Sequence, residues 1–395
     1  MVSRYLPFLL TAFFSLFFSP VNDELGISSV VIDYQYDQQV VFEANLTPVE
    51  LLGEIEQIVL QVFPPGSDAI SETVLFDETG KLKHQLELTG RAWHPFITVK
   101  FSFLIIMHDG QKRSSDTYSF HYEDNRFSWS SLEDRSFQVY WNSDDFQLGQ
   151  MILNTANSAL QSVRTYLPTY PEEAIRIFAY QDAADLNSAL HGDYSAWLAG
   201  HAIAEQRLVL ISTPPGPGLQ LELERQIPHE IAHILIHEVS GGQDEHLPLW
   251  LTEGIATLSE MYPQTDYQRM LNAAAEDSSL LPMASLCSAF PPGSKELLLA
   301  YAQSGSFVNF LYKKYGSSGL VELINTYQDG VSCENGMLGA TGSSLSQLEA
   351  LWQQQVLGVD AGILMLRNLA PYLVLLGCIL LVPLLPLLFG KHNNG

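Results

Sequence analysis

Basic residues are scarce in this chain. Lysine and arginine number 19 against 44 aspartates and glutamates, a formal charge of −25. A surface so short of cations has nothing to meet a phosphate backbone, which excludes a nucleic-acid-binding role. The same deficit disfavours close contact with anionic lipid headgroups, and it keeps a protein soluble without revealing a substrate. Cysteine is rarer still: Cys287, Cys333 and Cys378. That excludes a disulfide framework and leaves room for one bridge, between Cys287 and Cys333, although sequence alone does not show that they approach. No internal repeat is present.

Long apolar runs are confined to the two ends. Arg4 followed by an apolar stretch to Phe18 gives residues 1–20 the form of a secretory signal. The small-x-small cleavage pattern is poor around Ser19-Pro20, so an uncleaved N-terminal anchor stays open. Residues 369–389 are almost continuously apolar, long enough for one bilayer span, and Pro371, Pro383 and Pro386 are tolerable within it. Residues 390–395, with Lys391, then form a cytoplasmic tail. The expectation is a single-pass protein of the cell membrane, held by its C-terminal helix, with its body outside the cytoplasm.

Between these ends two patterns follow each other. Residues 24–125 are short alternating segments such as Gln39-Val40-Val41-Phe42-Glu43-Ala44 and Phe96-Ile97-Thr98-Val99-Lys100-Phe101, separated by turn signals such as Pro64-Pro65-Gly66 and Asp109-Gly110. Regular short strands of this kind predict an all-β sandwich of immunoglobulin or fibronectin-like shape, without the Cys-Trp-Cys pattern of antibody domains. The run 122–126 reads as a linker. Residues 134–360 mix strands, at 136–141, 175–180 and 207–211, with helices at 146–166, 182–190, 295–315, 319–327 and 346–356. Ser346 with Glu349 has the spacing of a capping box.

The chemistry sits in His229-Glu230-Ile231-Ala232-His233. On a helix, residues four apart share a face, so His229 and His233 can aim at one metal ion while Glu230 stands one step round, near a metal-held water. Histidines on helices are often mere hydrogen-bonded core or surface residues. Here the surrounding Ile227, Ile231, Ile234, Leu235 and Ile236 make two unpaired imidazoles costly to bury. Hydrolytic zinc commonly takes a His2Glu ligand set and keeps one position open, and Glu253 in Leu251-Thr252-Glu253-Gly254 is the third ligand expected. Pro228 either starts the metal-binding helix or bends one that begins near Gln220; the helix formers from 219 to 226 favour the bend. His237, one turn beyond His233, is expected to be structural.

HEIAH, followed after nineteen intervening residues by the Glu of LTEGIA, resembles the gluzincin metallopeptidases, and more closely the bacterial peptidase MA-like proteins. The stretches 300–308 (AYAQSGSFV) and 348–352 (LEALW) are similar too, so the resemblance covers about 136–357. It implies an α+β zincin-like catalytic domain holding Zn2+ through His229, His233 and Glu253, with Glu230 as general base and a peptide or protein substrate. In related folds a later Tyr or His stabilises the oxyanion: Tyr301 is the candidate, with Tyr262 and His246 competing. In such folds the edge strand before the metal-binding helix pairs with extended peptides; 207–211 is the candidate by position, and an ordinary internal strand is the equal alternative, since one sequence does not show which strands are edges. Some members carry a carboxylate one turn after the third ligand; Thr257 occupies that position here, so the partner orienting an imidazole lies elsewhere. No G-x-M-E-N-type stretch precedes the motif to bind a substrate amine, which favours cleavage within chains. The competing reading is a catalytically inactive zinc-fold binding or adhesion ectodomain.

Overall fold

The computed structural model describes residues 25–91, 93–190, 200–262 and 266–359. The chain divides into two compact units between Arg126 and Phe127.

The first unit is β-rich. Strands β1 (Gly26–Gln35), β2 (Gln39–Thr47) and β5 (Lys81–Glu87) form one antiparallel sheet, in the order β1-β2-β5. Strands β3 (Ile55–Phe63), β4 (Ile70–Val74), β6 (Ile97–Met107), β7 (Lys112–Ser114) and β8 (Tyr118–Tyr122) form the other, in the order β4-β3-β6-β7 with β8 also on β6. Alternation decides which side is buried. Val40, Phe42, Ala44 and Leu46 of β2 point inward, as do Ile58, Leu60 and Val62 of β3. The Phe42 and Phe101 rings meet edge to face, 5.0 Å apart, between the sheets. The run expected as a linker is instead tied down: Asp124 is fully buried and paired with Arg126, and Asn125 accepts from Tyr36 N–H.

The second unit is a five-stranded sheet followed by helices. Its strands β9 (Ser130–Glu133), β10 (Phe137–Trp141), β11 (Ile175–Tyr180), β12 (Gly200–Ile203) and β13 (Leu208–Ser212) lie in the order β12-β13-β11-β10-β9. The three inner strands are parallel, and β12 and β9 are antiparallel to their neighbours. Every residue of β13 is buried, as expected of a short strand covered on both faces. The candidate peptide-pairing strand at 207–211 is therefore internal, and β12 forms the edge. β12 was not predicted, because Gly-His-Ala-Ile carries neither alternation nor a β-branched run.

Helix α1 (Phe146–Val163) is capped by Asp145, which accepts from Gln147 N–H, and α2 (Ala183–Leu190) follows β11. The chain then continues as α3 (Leu219–Val239), α4 (Leu249–Ser259), α5 (Asp266–Glu276), α6 (Ser294–Tyr327), α7 (Cys333–Thr341) and α8 (Leu345–Leu357). α3 runs unbroken through Pro228, and α6 is interrupted at Gly316, where φ is +72°. α8 is capped two residues earlier than expected: Ser344 and Gln347 form the capping box, and Glu349 accepts from Met283 N–H instead. Cys287 and Cys333 are joined as a disulfide.

The expected fold class needs correction at its last element. Among the described residues no helix is long and apolar enough to cross a membrane. The span expected at 369–389 lies outside those residues, as do the signal or anchor at 1–20 and the tail at 390–395. The supported architecture is a β-rich unit followed by a largely helical unit carrying the site, with no membrane-spanning helix among the described residues.

Candidate metal centre

α3 supplies His229, Glu230 and His233. Its apolar residues Leu223, Ile227, Ile231, Ile234 and Leu235 are buried, which fixes the rotation of the helix and turns the two imidazoles to one side. α4 supplies Glu253. That helix lies close against α6 because two glycines interlock. A Cβ on Gly254 would stand 2.4 Å from Val308 Cγ2 and 2.7 Å from Ser304 O, and one on Gly305 would stand 2.9 Å from Thr257 Cγ2. Gly254 follows the third candidate ligand directly, and Tyr301 lies one turn before Gly305.

The three side chains offer ligand atoms within 4.8 Å of one another. Glu253 Oε2 lies 3.4 Å from His229 Nε2 and 3.8 Å from His233 Nε2. Ligands on a tetrahedral zinc, with bonds of about 2.0–2.1 Å, stand roughly 3.3 Å apart, so the spacing fits such an ion. Glu253 Oε2 is buried and, despite these approaches, makes no hydrogen bond of acceptable geometry. A desolvated carboxylate oxygen without a donor is costly unless a cation meets it. The donor set therefore fits a divalent metal.

Glu230 is 7% exposed and takes no part in that triangle. β12 passes directly over it: a Cβ on Gly200 would lie 2.8 Å from Glu230 Oε1, and Ala202 N–H donates to the carboxylate. Burial pushes the Glu230 pKa up to about 7, helped by the nearby Glu253 and Glu260 charges and opposed by His229. Burial also works against a charged His229, but the Glu253 and Glu260 carboxylates outweigh it and hold that imidazole well above its usual value. His233, where burial prevails over the pull of Glu253, is pushed down. For Glu253 burial acts upward, yet the two imidazoles prevail and keep it below the ordinary carboxylate range.

These groups line a cavity of about 680 Å3 between β12 and the helices. Tyr301 reaches it from α6, its ring centroid 6.3 Å from that of His229, and burial raises its phenol pKa further above 10. The competing oxyanion candidates stand elsewhere. Tyr262 is 45% exposed and outside the cavity wall, and His246 is spent on Gln328 O at 2.8 Å. His237 does line the cavity, its Nδ1 2.5 Å from Asp244 Oδ1, but offers no atom to the metal group.

Sequence reasoning missed Glu260. This carboxylate, with only 4% of its side chain exposed, lies 3.3 Å from His229 Nδ1. It stands seven residues after Glu253, two helical turns on the same face, and that periodicity was the available signal.

Comparison with known proteins agrees with this geometry. The family model described as the peptidase MA superfamily matches residues 155–358, just over half of the chain. No curated protein matches the sequence. Among solved structures, the M1 zinc metallopeptidase from Deinococcus radiodurans bound to a Tyr-Ser-Ala substrate is 12% identical. It aligns over 85% of this chain and 93% of its own, with a TM-score of 0.35. A two-domain M1 zinc metallopeptidase bound to L-arginine is 12% identical over 83% and 92%, at a TM-score of 0.37. An aminopeptidase N family protein from Idiomarina loihiensis is 8% identical over 87% and 75%, at 0.33. Likenesses this low carry no functional property across. The family match covers the elements that hold the site, from within α1 through α8, and the chain belongs to the peptidase MA superfamily.

Proposed function

We propose that the protein is a zinc-dependent endopeptidase working outside the cytoplasm. The observation that carries the reading is the convergence of His229, His233 and Glu253 on one point beside a buried Glu230. A bound zinc ion would supply Lewis acidity at the scissile carbonyl and draw the pKa of water toward neutrality. The chain's own groups do the rest. Glu230, held by Ala202 N–H, takes the proton of the attacking water and returns it to the leaving amine. Tyr301 faces the same cavity from α6, so its hydroxyl is the donor for the developing oxyanion. The substrate lies extended along β12, whose outer edge pairs with no other strand among the described residues.

Two finer points have their own support. The absence of a G-x-M-E-N-type stretch leaves no dedicated seat for a free substrate amine, which favours cleavage within chains. The Cys287–Cys333 disulfide favours an oxidising compartment.

The test uses purified protein, elemental analysis and a peptide library blocked at both ends. The wild type should carry zinc and cleave the library in a chelator-sensitive way. Glu230→Gln should keep zinc and lose hydrolysis, whereas His229→Ala and Glu253→Ala should lose the metal. Hydrolysis retained by purified E230Q, or a wild type without zinc, overturns the proposal. Cleavage restricted to peptides with a free amino end replaces endopeptidase with exopeptidase action.

A further inference from the structure

His229 follows a proline that sits inside a helix, where proline is strongly disfavoured because it has no N–H to give and crowds the preceding turn. The carbonyl deprived of its donor belongs to Glu224, four residues earlier. That carbonyl has found another partner: Met261 N–H donates to it at 2.9 Å. Met261 lies just past the end of α4. The residue before it, Glu260, leaves the helix with φ −55° and ψ 123°, while its N–H still reaches Thr257 O. The Glu260 side chain turns inward, 4% exposed, with Oε1 3.3 Å from His229 Nδ1 and Oε2 without a hydrogen bond.

We propose that Pro228 and Glu260 act together as a positioning device for the first metal ligand. The proline frees the Glu224 carbonyl, that carbonyl captures Met261, and the capture seats the Glu260 carboxylate against His229 Nδ1. A carboxylate there keeps the proton on Nδ1 and leaves the Nε2 lone pair directed at the point shared with His233 and Glu253. Two sequence oddities are then one feature. An interior proline is kept because of what its missing N–H releases, and Thr257 carries no charge because the orienting carboxylate stands three residues further on. An alanine at 228 would restore a helical N–H that competes with Met261 for the Glu224 carbonyl. The inference rests on the zinc reading above and adds residues that the motif does not contain.

The experiment is a zinc titration against a chromophoric chelator with the whole chain as wild type, E260Q, P228A and the double variant. Each single change should weaken zinc binding about 10- to 100-fold, the range for partners of ligating histidines. The double variant should bind no more weakly than E260Q, because Pro228 acts only through Glu260. The metal-free melting temperature of P228A should not fall, since the helix regains a hydrogen bond. Unchanged affinity in E260Q overturns the proposal, and so does a double variant showing the product of the two single effects. If E260Q fails to fold, P228A decides: wild-type zinc affinity in that variant overturns the proposal. A wild type that takes up no zinc overturns this inference and the proposed function together, whereas unchanged E260Q affinity overturns this inference alone.

Discussion

Replacing Gly254 with alanine should strain the molecule at the point where packing and chemistry meet. The added Cβ would lie 2.4 Å from Val308 Cγ2, 2.7 Å from Ser304 O and 3.0 Å from Ser304 C. Carbon atoms rest comfortably at about 3.5–4.0 Å, so α4 and α6 must part by roughly an ångström. Ser304 contributes backbone, which cannot swing aside as a flexible side chain would. Overpacking of this kind costs about 1–3 kcal/mol. At roughly 2–4 °C per kcal/mol for a unit of this size, the melting temperature should fall by about 2–12 °C. Glu253 travels with α4, and metal sites tolerate only about 0.2 Å of ligand displacement, so zinc affinity should drop by about tenfold or more. Differential scanning fluorimetry and zinc competition read the two effects separately. Gly216→Ala serves as the control, since its Cβ would meet nothing within 4 Å, and it should leave both unchanged. Wild-type melting and zinc affinity in G254A would show that the helices separate without cost, and the reasoning from close approach would be refuted.

Tyr301→Phe should lower kcat by about 10²- to 10³-fold, the effect of removing one oxyanion donor, with little change in KM or bound zinc; an unaltered kcat assigns the tyrosine to packing. Asp134 offers a pH test. Burial opposes its ionisation, but hydrogen bonds from Asn157 and from the backbone N–H groups of Ser136 and Phe137 prevail and hold its pKa below 3.8. Its stabilising contribution is therefore present above the unfolded-state pKa and lost as pH falls through the lowered folded value. Asp134→Ala should cost roughly 1 kcal/mol at neutral pH after discounting for solvent, and the gap from wild type should narrow in acid; a gap that widens there contradicts the sign. Cys287 and Cys333 lie 46 residues apart, and chain entropy for a loop of that length gives about 4 kcal/mol as the upper stabilisation. Replacing both by serine should lower the urea midpoint accordingly, and an unchanged midpoint would show that the bridge constrains nothing.

Much of the site could be read along the chain because its elements are local. A four-residue helical spacing aims His229 and His233, and the apolar residues around them fix which way the helix faces. What could not be read depends on neighbours distant in sequence. Whether β13 was an edge or an internal strand could not be read along the chain, because β12, which covers it, carries no pattern of its own. The linker expected at 122–126 is held by Tyr34 and Tyr36, some 90 residues earlier. The helix cap placed at Ser346 belongs to Ser344, a shift that short-range spacing rules cannot resolve.

The sequence by itself determined the donor types, their order and the helix that presents two of them, because side-chain periodicity is a property of the backbone alone. Only the tertiary structure decided that α4 comes near enough for Glu253 to join them, since that approach depends on glycines meeting backbone across two helices. It alone also decided that Glu260 backs His229, because the Glu224 carbonyl released by Pro228 is satisfied by the Met261 amide 37 residues further along the sequence, and no local rule couples them.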